Sequence, residues 1–274
     1  MTRRRWLVNA AGLGVFALFA FPVYWMVLTS FRRERDVRSV DVDVLPSALT
    51  LDNYRSVFER DFFTDAFRTS LVVTGLTLSG ALVLAFLAAV ALARFRFRGR
   101  KGFIVAVLAI QMVPAEAMII SLFRVLDGWD LVNTIAGLTV TYLAFVLPFT
   151  IWTLRGFVAG VPFDLEEAAM MDGSSRVRAF FTVTLPLIAP GLVATGIFAF
   201  IQAWNEFLYA LVIMNRPENQ TLPVWLQAFN EGARGTDWGG VMAGSTLITI
   251  PVLVFFLLVH RRVTTGLTAG AVKG

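Results

Sequence analysis

The chain has 274 residues, of which 57% are hydrophobic and 16% charged, so a water-soluble fold would expose large apolar patches and aggregate. There is no cysteine and a single histidine, His260, which excludes disulfides and multi-histidine metal sites and disfavours a serine–histidine–aspartate triad. The net charge of +5 comes mostly from arginines at the ends of apolar runs, a pattern typical of membrane proteins rather than nucleic-acid-binding faces. We therefore expect no catalytic residues, no bound metal and no nucleic-acid partner.

Six apolar segments reach the roughly 20 residues that a helix needs to span a bilayer. The first follows three arginines and resembles a signal peptide, but its length and the lack of a clear cleavage site favour an uncleaved helix. The sequence thus predicts an all-α, multi-pass membrane protein with a single transmembrane domain over residues 1–274. Its six helices are expected at about residues 6–31, 69–93, 102–126, 131–154, 187–214 and 239–259.

The basic residues predict the orientation of these helices. The loop after the second helix carries five basic residues and no acid, so the positive-inside rule places it in the cytoplasm: Arg94, Arg96, Arg98, Arg100 and Lys101. Both termini, the loop 155–186 and the tail 260–274 should then also be cytoplasmic. Seven arginines within residues 32–68 oppose this orientation, although eight acids accompany them.

The longest cytoplasmic loop contains Glu166-Glu167-Ala168-Ala169-Met170-Met171-Asp172-Gly173 and, further on, Val183-Thr184-Leu185-Pro186. Asp164 suits the N-cap of a short helix, whose first turn would hold two glutamates against the helix dipole. Gly173 suits the left-handed residue that ends such a helix. We expect a second short helix from Arg176, closed by Pro186. On these grounds alone, the segment is either an ordinary helix–turn–helix or a surface that another protein approaches closely over its two alanines.

The same segment resembles the EAA loop found in membrane subunits of ABC importers. That pattern is Glu-Ala-Ala, three residues, Gly, nine residues, then Ile-x-Leu-Pro, and this chain departs from it at Val183, where isoleucine is usual. Residues 51–54, 203–208 and 266–274 are similar to the carbohydrate branch of that family, in particular to the smaller maltose-type permease. The resemblance extends over nearly the whole chain.

The resemblance implies a MetI-like fold and a transport subunit that is not an enzyme, in the bacterial cytoplasmic membrane. A second, unlike permease completes the path, two ATPase subunits carry ATP and Mg²⁺, and an extracytoplasmic solute-binding (lipo)protein delivers a sugar or oligosaccharide. No cofactor is expected in this chain. The family assigns ATPase coupling to Glu166, Glu167, Ala168, Ala169, Asp172, Gly173, Leu185 and Pro186. It assigns a tail contact with the ATPases to Gly266, Leu267, Thr268, Gly270, Lys273 and Gly274.

Polar residues within the predicted fifth helix indicate a substrate path. Their spacing of i, i+3, i+4 and i+7 places Gln202, Asn205, Glu206 and Tyr209 on one helix face. Such residues line a wet cavity suited to hydroxyl-rich sugars, or they form hydrogen bonds with the partner permease. Glu116 should lie at a depth similar to that of Glu206, either in the same cavity or at a helix end in the outer water, and Pro114 should interrupt its helix.

Other functions remain as alternatives from the sequence. A permease for glycerol phosphates or polyols belongs to the same family, and an ion-driven secondary transporter belongs to another. The EAA loop disfavours the ion-driven transporter, and the lack of a catalytic constellation disfavours a membrane enzyme. The outer segment 215–240 should reach toward the solute-binding protein or form a solvated loop.

Overall fold

The structure, a computed structural model, describes residues 3–39, 48–230, 232 and 235–271, with side chains from residue 5 to residue 259 of these ranges. Their regular structure is helical, apart from an isolated bridge between Asn230 and Thr236. The helices are α1 (Arg3–Ser30), α2 (Glu34–Val37), α3 (Asp52–Glu59), α4 (Phe63–Arg94), α5 (Arg100–Ile110), α6 (Ile119–Asp127), α7 (Ile135–Gly160), α8 (Asp164–Met171), α9 (Arg176–Ala179), α10 (Leu185–Trp204), α11 (Leu208–Ile213), α12 (Leu222–Trp225) and α13 (Trp238–Ala271).

Five stretches of the described chain are long and apolar enough to cross a membrane, and they lie in α1, α4, α7, α13 and the continuous run 176–204. A sixth span exists if α5 and the segment 115–127 are counted together, although the two are bent by 92°. The all-α, membrane-spanning architecture expected from the sequence is confirmed. The expected third helix, 102–126, is interrupted at Pro114 as predicted, because Pro114 has no N–H to continue the helix and the chain bends there.

Two other helices differ from their expected bounds. The expected fifth helix, 187–214, is interrupted after Trp204, and α11 begins only at Leu208. The expected sixth helix, 239–259, continues to Ala271. The outer segment after Asn215 is folded rather than solvated throughout, since Trp225 and Phe229 are fully buried.

The chain divides into two compact units, residues 1–64 with 225–251 and residues 65–224 with 252–274. In the first unit, the side-chain amide of Asn53 donates hydrogen bonds to the carbonyl oxygens of Ser30 and Arg32, at 2.9 and 2.7 Å. Gly239 lies against this amide, where a Cβ atom would come within 2.6 Å of Asn53 Oδ1. The start of α3, which contains most of the segment 51–54, is thereby fixed to the end of α1.

The second unit is built on close packing of α4, α7 and α10. Three alanines of α4, at four-residue intervals, are completely buried: Ala81, Ala85 and Ala89. They contact buried side chains of α7 and α10, such as Leu154 and Ile188 around Ala89. Small side chains on one face let helices approach closely, which is how helices associate in a lipid environment that gives no hydrophobic driving force between them.

Candidate functional site

Helix α8 forms the centre of the predicted coupling loop. It begins at Asp164, so this residue is not the N-cap as expected; Phe163 takes that position without a side-chain hydrogen bond. Asp164, Glu166 and Glu167 all lie in the first turn. At this position their carboxylates interact favourably with the partial positive charge of the helix N-terminus, as the sequence predicted.

The end of α8 is a Schellman motif. Gly173 has a φ of +91°, its N–H donates to Met170 O at 3.0 Å, and the N–H of Ser174 donates to Ala169 O at 3.0 Å. These two hydrogen bonds satisfy carbonyl groups that the helix leaves free. No atom lies within 4 Å of the position that a Cβ of Gly173 would take, so only the backbone conformation requires glycine.

The residues expected to couple to an ATPase do not share one environment. Glu167, Ala168, Asp172 and Pro186 are exposed, whereas Ala169 and Leu185 are half-buried. The side chain of Met171, on the same short helix, is 88% exposed. Glu166 is buried, and its carboxylate lies against Arg94 and Thr184 within the protein. The sequence gives no signal for these two partners, because they are distant along the chain.

The segment after Gly173 differs from its expected form. Ser175 caps α9 by accepting a hydrogen bond from the N–H of Arg178 at 3.3 Å. The chain then passes through a π-helical turn, Phe180–Thr184, directly into α10, so Pro186 does not end the second helix. Pro186 cannot donate to the preceding turn, and the wider turn before it accommodates the missing hydrogen bond.

Four of the five residues expected on the substrate path line one cavity of about 200 Å³: Glu116, Gln202, Glu206 and Tyr209. The aromatic rings of Tyr142 and Phe145, on α7, lie in the same wall. Asn205 is not among the lining residues; its side chain is exposed and its amide donates to Ile201 O at 2.9 Å. Glu116 thus lines the same cavity as Glu206, and its side chain is exposed at the break between α5 and α6, so both of its expected environments are compatible with the structure.

The reason for this clustering differs from the expected single helix face. Since α10 ends at Trp204, the interpretation of four residues on one continuous helix is wrong. Instead, Glu206 accepts hydrogen bonds from the backbone N–H groups of Tyr209 and Ala210, at 2.8 and 3.0 Å, and so begins α11. The hydroxyl of Tyr209 donates to Ala115 O, which links α11 to the turn that carries Glu116.

The expected tail contact lies largely outside the described residues. The backbone is helical to Ala271, through Gly266 and Gly270, but the side chains of Leu267 and Thr268 are not described, and Lys273 and Gly274 lie beyond the described range.

Residues 81–268 match the family model described as binding-protein-dependent transport system inner membrane component. The chain is 44% identical over 266 residues to the diacetylchitobiose uptake system permease protein DasC of Streptomyces coelicolor, covering 97% of this chain and 96% of the relative. It is 40% identical over 254 residues to the trehalose transport system permease protein SugB of Mycobacterium tuberculosis, covering 92% of each.

Solved structures agree on the fold. A crystal structure of a bacterial ABC transporter involved in the import of the acidic polysaccharide alginate matches with a TM-score of 0.79 at 23% identity, covering 95% of this chain and 98% of that one. The expected MetI-like permease fold and the resemblance to carbohydrate-type importer subunits are confirmed. From its family match over most of its length and its near full-length relatives, the chain belongs to the binding-protein-dependent transport system inner membrane components, the permease subunits of ABC importers.

Proposed function

We propose that this permease imports a neutral sugar or oligosaccharide across the bacterial cell membrane, with a second, unlike permease completing the path. An extracytoplasmic solute-binding (lipo)protein delivers the substrate, and two ATPase subunits that bind ATP and Mg²⁺ drive the cycle. The observation that carries the proposal is the geometry of α8, a short exposed helix with a rigid glycine end. Two relatives are named as permeases for diacetylchitobiose and for trehalose, and these names support a sugar as the substrate.

Helix α8 is the part of the chain that we propose docks on an ATPase, and we call it the coupling helix. Its exposed side chains combine a carboxylate, Glu167, with the small Ala168 and the flexible, apolar Met171. A mixed surface of this kind fits a cleft with a basic and an apolar part. ATP binding favours one arrangement of the two ATPases, and a helix held in their clefts biases the permease toward the matching state.

The cavity formed by Glu116, Gln202, Glu206 and Tyr209 is the part that we propose faces the substrate. Of the described residues that line it, two are acids and none is basic. Carboxylates and an amide accept hydrogen bonds from sugar hydroxyls, and aromatic walls suit the apolar faces of sugar rings. A phosphate would instead meet like charge, which favours a neutral sugar over the glycerol-phosphate alternative.

The experiment that tests this function is ATP hydrolysis by the assembled complex in liposomes, with the solute-binding protein loaded with different ligands. We expect neutral sugars to stimulate hydrolysis and to be imported. Stimulation by glycerol phosphate, with no response to any neutral sugar, would overturn the substrate class while leaving the importer function intact.

We propose that both termini and the loop 155–186 are cytoplasmic, as the basic loop from Arg94 to Lys101 predicts. Reporter fusions placed after Lys101 and after Gly274 should report a cytoplasmic location. A fusion at Asn53 should report an external one. A cytoplasmic signal from the Asn53 fusion would show that the true orientation is the reverse of the predicted one.

The tail 266–274 is proposed to insert between the two ATPases, on the strength of its similarity to the family tail. A stop codon after Thr265 should leave a chain that inserts and pairs with the second permease. The truncated complex should retain ATPase subunits poorly on affinity purification, or hydrolyse ATP without transport. Unchanged composition and full transport would show that the tail has no such contact.

A further inference from the structure

A buried ion pair lies under the coupling helix. Arg94, the last residue of α4, places Nη2 3.0 Å from Oε1 of Glu166, and the two side chains are only 9% and 4% exposed. This N–O contact lacks the angle of a hydrogen bond, and Arg94 Nε has no hydrogen-bond partner among the described residues. Electrostatic attraction to Glu166 is therefore the charge–charge contact that helps to compensate the desolvated guanidinium.

The pair connects several helices at their ends. The fully buried hydroxyl of Thr184, in the turn that leads into α10, donates to the same Oε1 atom at 2.5 Å. Arg94 Nη1 donates to the carbonyl oxygen of Val161, the C-cap of α7, at 3.1 Å. The two side chains thus join the coupling helix to α4, to α7 and to the start of α10.

The aromatic ring of Phe163 covers one side of the Arg94–Glu166 pair. The ring of Phe163, directly before the coupling helix, lies 5.3 Å from the guanidinium carbon of Arg94 and 6.0 Å from that of Arg176. Both distances are within the range of cation–π attraction. The residue before the coupling helix is therefore held by the same arginine that holds its first turn.

This geometry separates the two neighbouring glutamates of the loop. Glu167 is exposed and free to meet a partner protein, whereas Glu166 is buried and committed to contacts within the chain. Displacement of a short surface helix can reach other elements through contiguous packed side chains and ion pairs. The buried pair is such a connection, and it leads directly to three membrane-spanning helices, α4, α7 and α10.

We infer that Arg94 and Glu166 are a positioning pair that transmits movement of the coupling helix to α4, α7 and α10, rather than an ATPase contact. The inference rests on the proposed coupling function of α8. Loss of either charge leaves the other buried with no opposite charge beside it, so the coupling helix should move independently of the membrane helices. Docking of the ATPases, which uses the opposite face of the helix, should persist.

The test is a double-mutant cycle with Arg94→Gln, Glu166→Gln and the double variant, in the complete complex in liposomes. Each single change should lower the amount of solute imported per ATP hydrolysed by about tenfold, and the double variant should be no worse than the worse single variant. Affinity-purified complexes should keep their ATPase subunits. Arg94→Lys, which keeps the charge but loses the planar guanidinium geometry, should restore part of the import per ATP.

Two matched variants complete the test. Thr184→Val should lower import per ATP and Thr184→Ser should restore it, since only the hydroxyl reaches Glu166. Glu167→Gln, one residue away on the exposed face, should instead weaken ATPase retention. The inference is wrong if the Arg94 and Glu166 effects multiply, if Glu166→Gln loses ATPase subunits as Glu167→Gln does, or if import per ATP is unchanged. If Glu166→Gln, Glu167→Gln and Thr184→Val are all without effect, the proposal that α8 couples the permease to an ATPase is itself wrong.

Discussion

Gly173→Val should leave the permease inserted in the membrane but uncouple ATP hydrolysis from transport. The residue has a φ of +91°, in the region that a β-branched side chain resists. The strain of about 1–2 kcal/mol would be relieved by opening the turn, which breaks the two hydrogen bonds that end α8. We expect import per ATP to fall by about tenfold, because about 1.4 kcal/mol corresponds to a factor of ten.

Asparagine provides the matched control, since it tolerates the left-handed conformation better than other non-glycine residues. Gly173→Asn should therefore retain much more coupled transport than Gly173→Val, although both add a side chain. There is open space around this position, so bulk alone should not matter. Normal uptake by the valine variant in liposomes would remove the assignment of this loop to coupling.

Glu206→Ala should lower sugar uptake by at least tenfold, because it removes two charge-assisted hydrogen bonds, each contributing ~1.5–3 kcal/mol. The carboxylate accepts from the N–H groups of Tyr209 and Ala210 and also lines the cavity. Its loss should release the start of α11 and remove a polar wall from the path. Glu206→Gln, which keeps one acceptor oxygen, should have a smaller effect.

Asn205→Ala is the control for this position, because its side chain is exposed and outside the cavity. Uptake should stay near that of the unmodified chain, with the ATPases and the second permease still present after purification. If Glu206→Ala instead releases the partner permease, the polar groups form a subunit interface. Equal losses from both alanine variants would exclude a specific role for the cavity.

Local features of the site could be predicted from the sequence, and long-range ones could not. The glycine end of α8 was predictable because a left-handed residue after a short helix has a residue-type signal. The pairing of Arg94 with Glu166 has no such signal, since nothing in the spacing of two distant residues shows that the fold brings them together. In the sequence, Arg94 is distinguished only as one of the five basic residues that predict a cytoplasmic loop.

The cavity brings together four of the five residues that the sequence grouped, although the helix geometry on which the grouping was based is wrong. A continuous apolar run across residues 187–214 predicted one helix, and neither proline nor glycine marks the interruption after Trp204. At the interruption, the side chain of Glu206 accepts hydrogen bonds from the first turn of the following helix, a local contact that competes with a continuous helix. Pro114 did predict a break in the third span, but its 92° bend depends on packing that residue type does not encode.

The most direct test of the account is uptake of a radiolabelled sugar by liposomes that contain this permease, its partner permease and both ATPases. The sugar should be chosen as one that the solute-binding protein of the system binds. We expect uptake that requires ATP inside, the loaded binding protein outside and an intact coupling helix, and that falls about tenfold in Gly173→Val. Uptake that continues without ATP and responds to an ion gradient would contradict it.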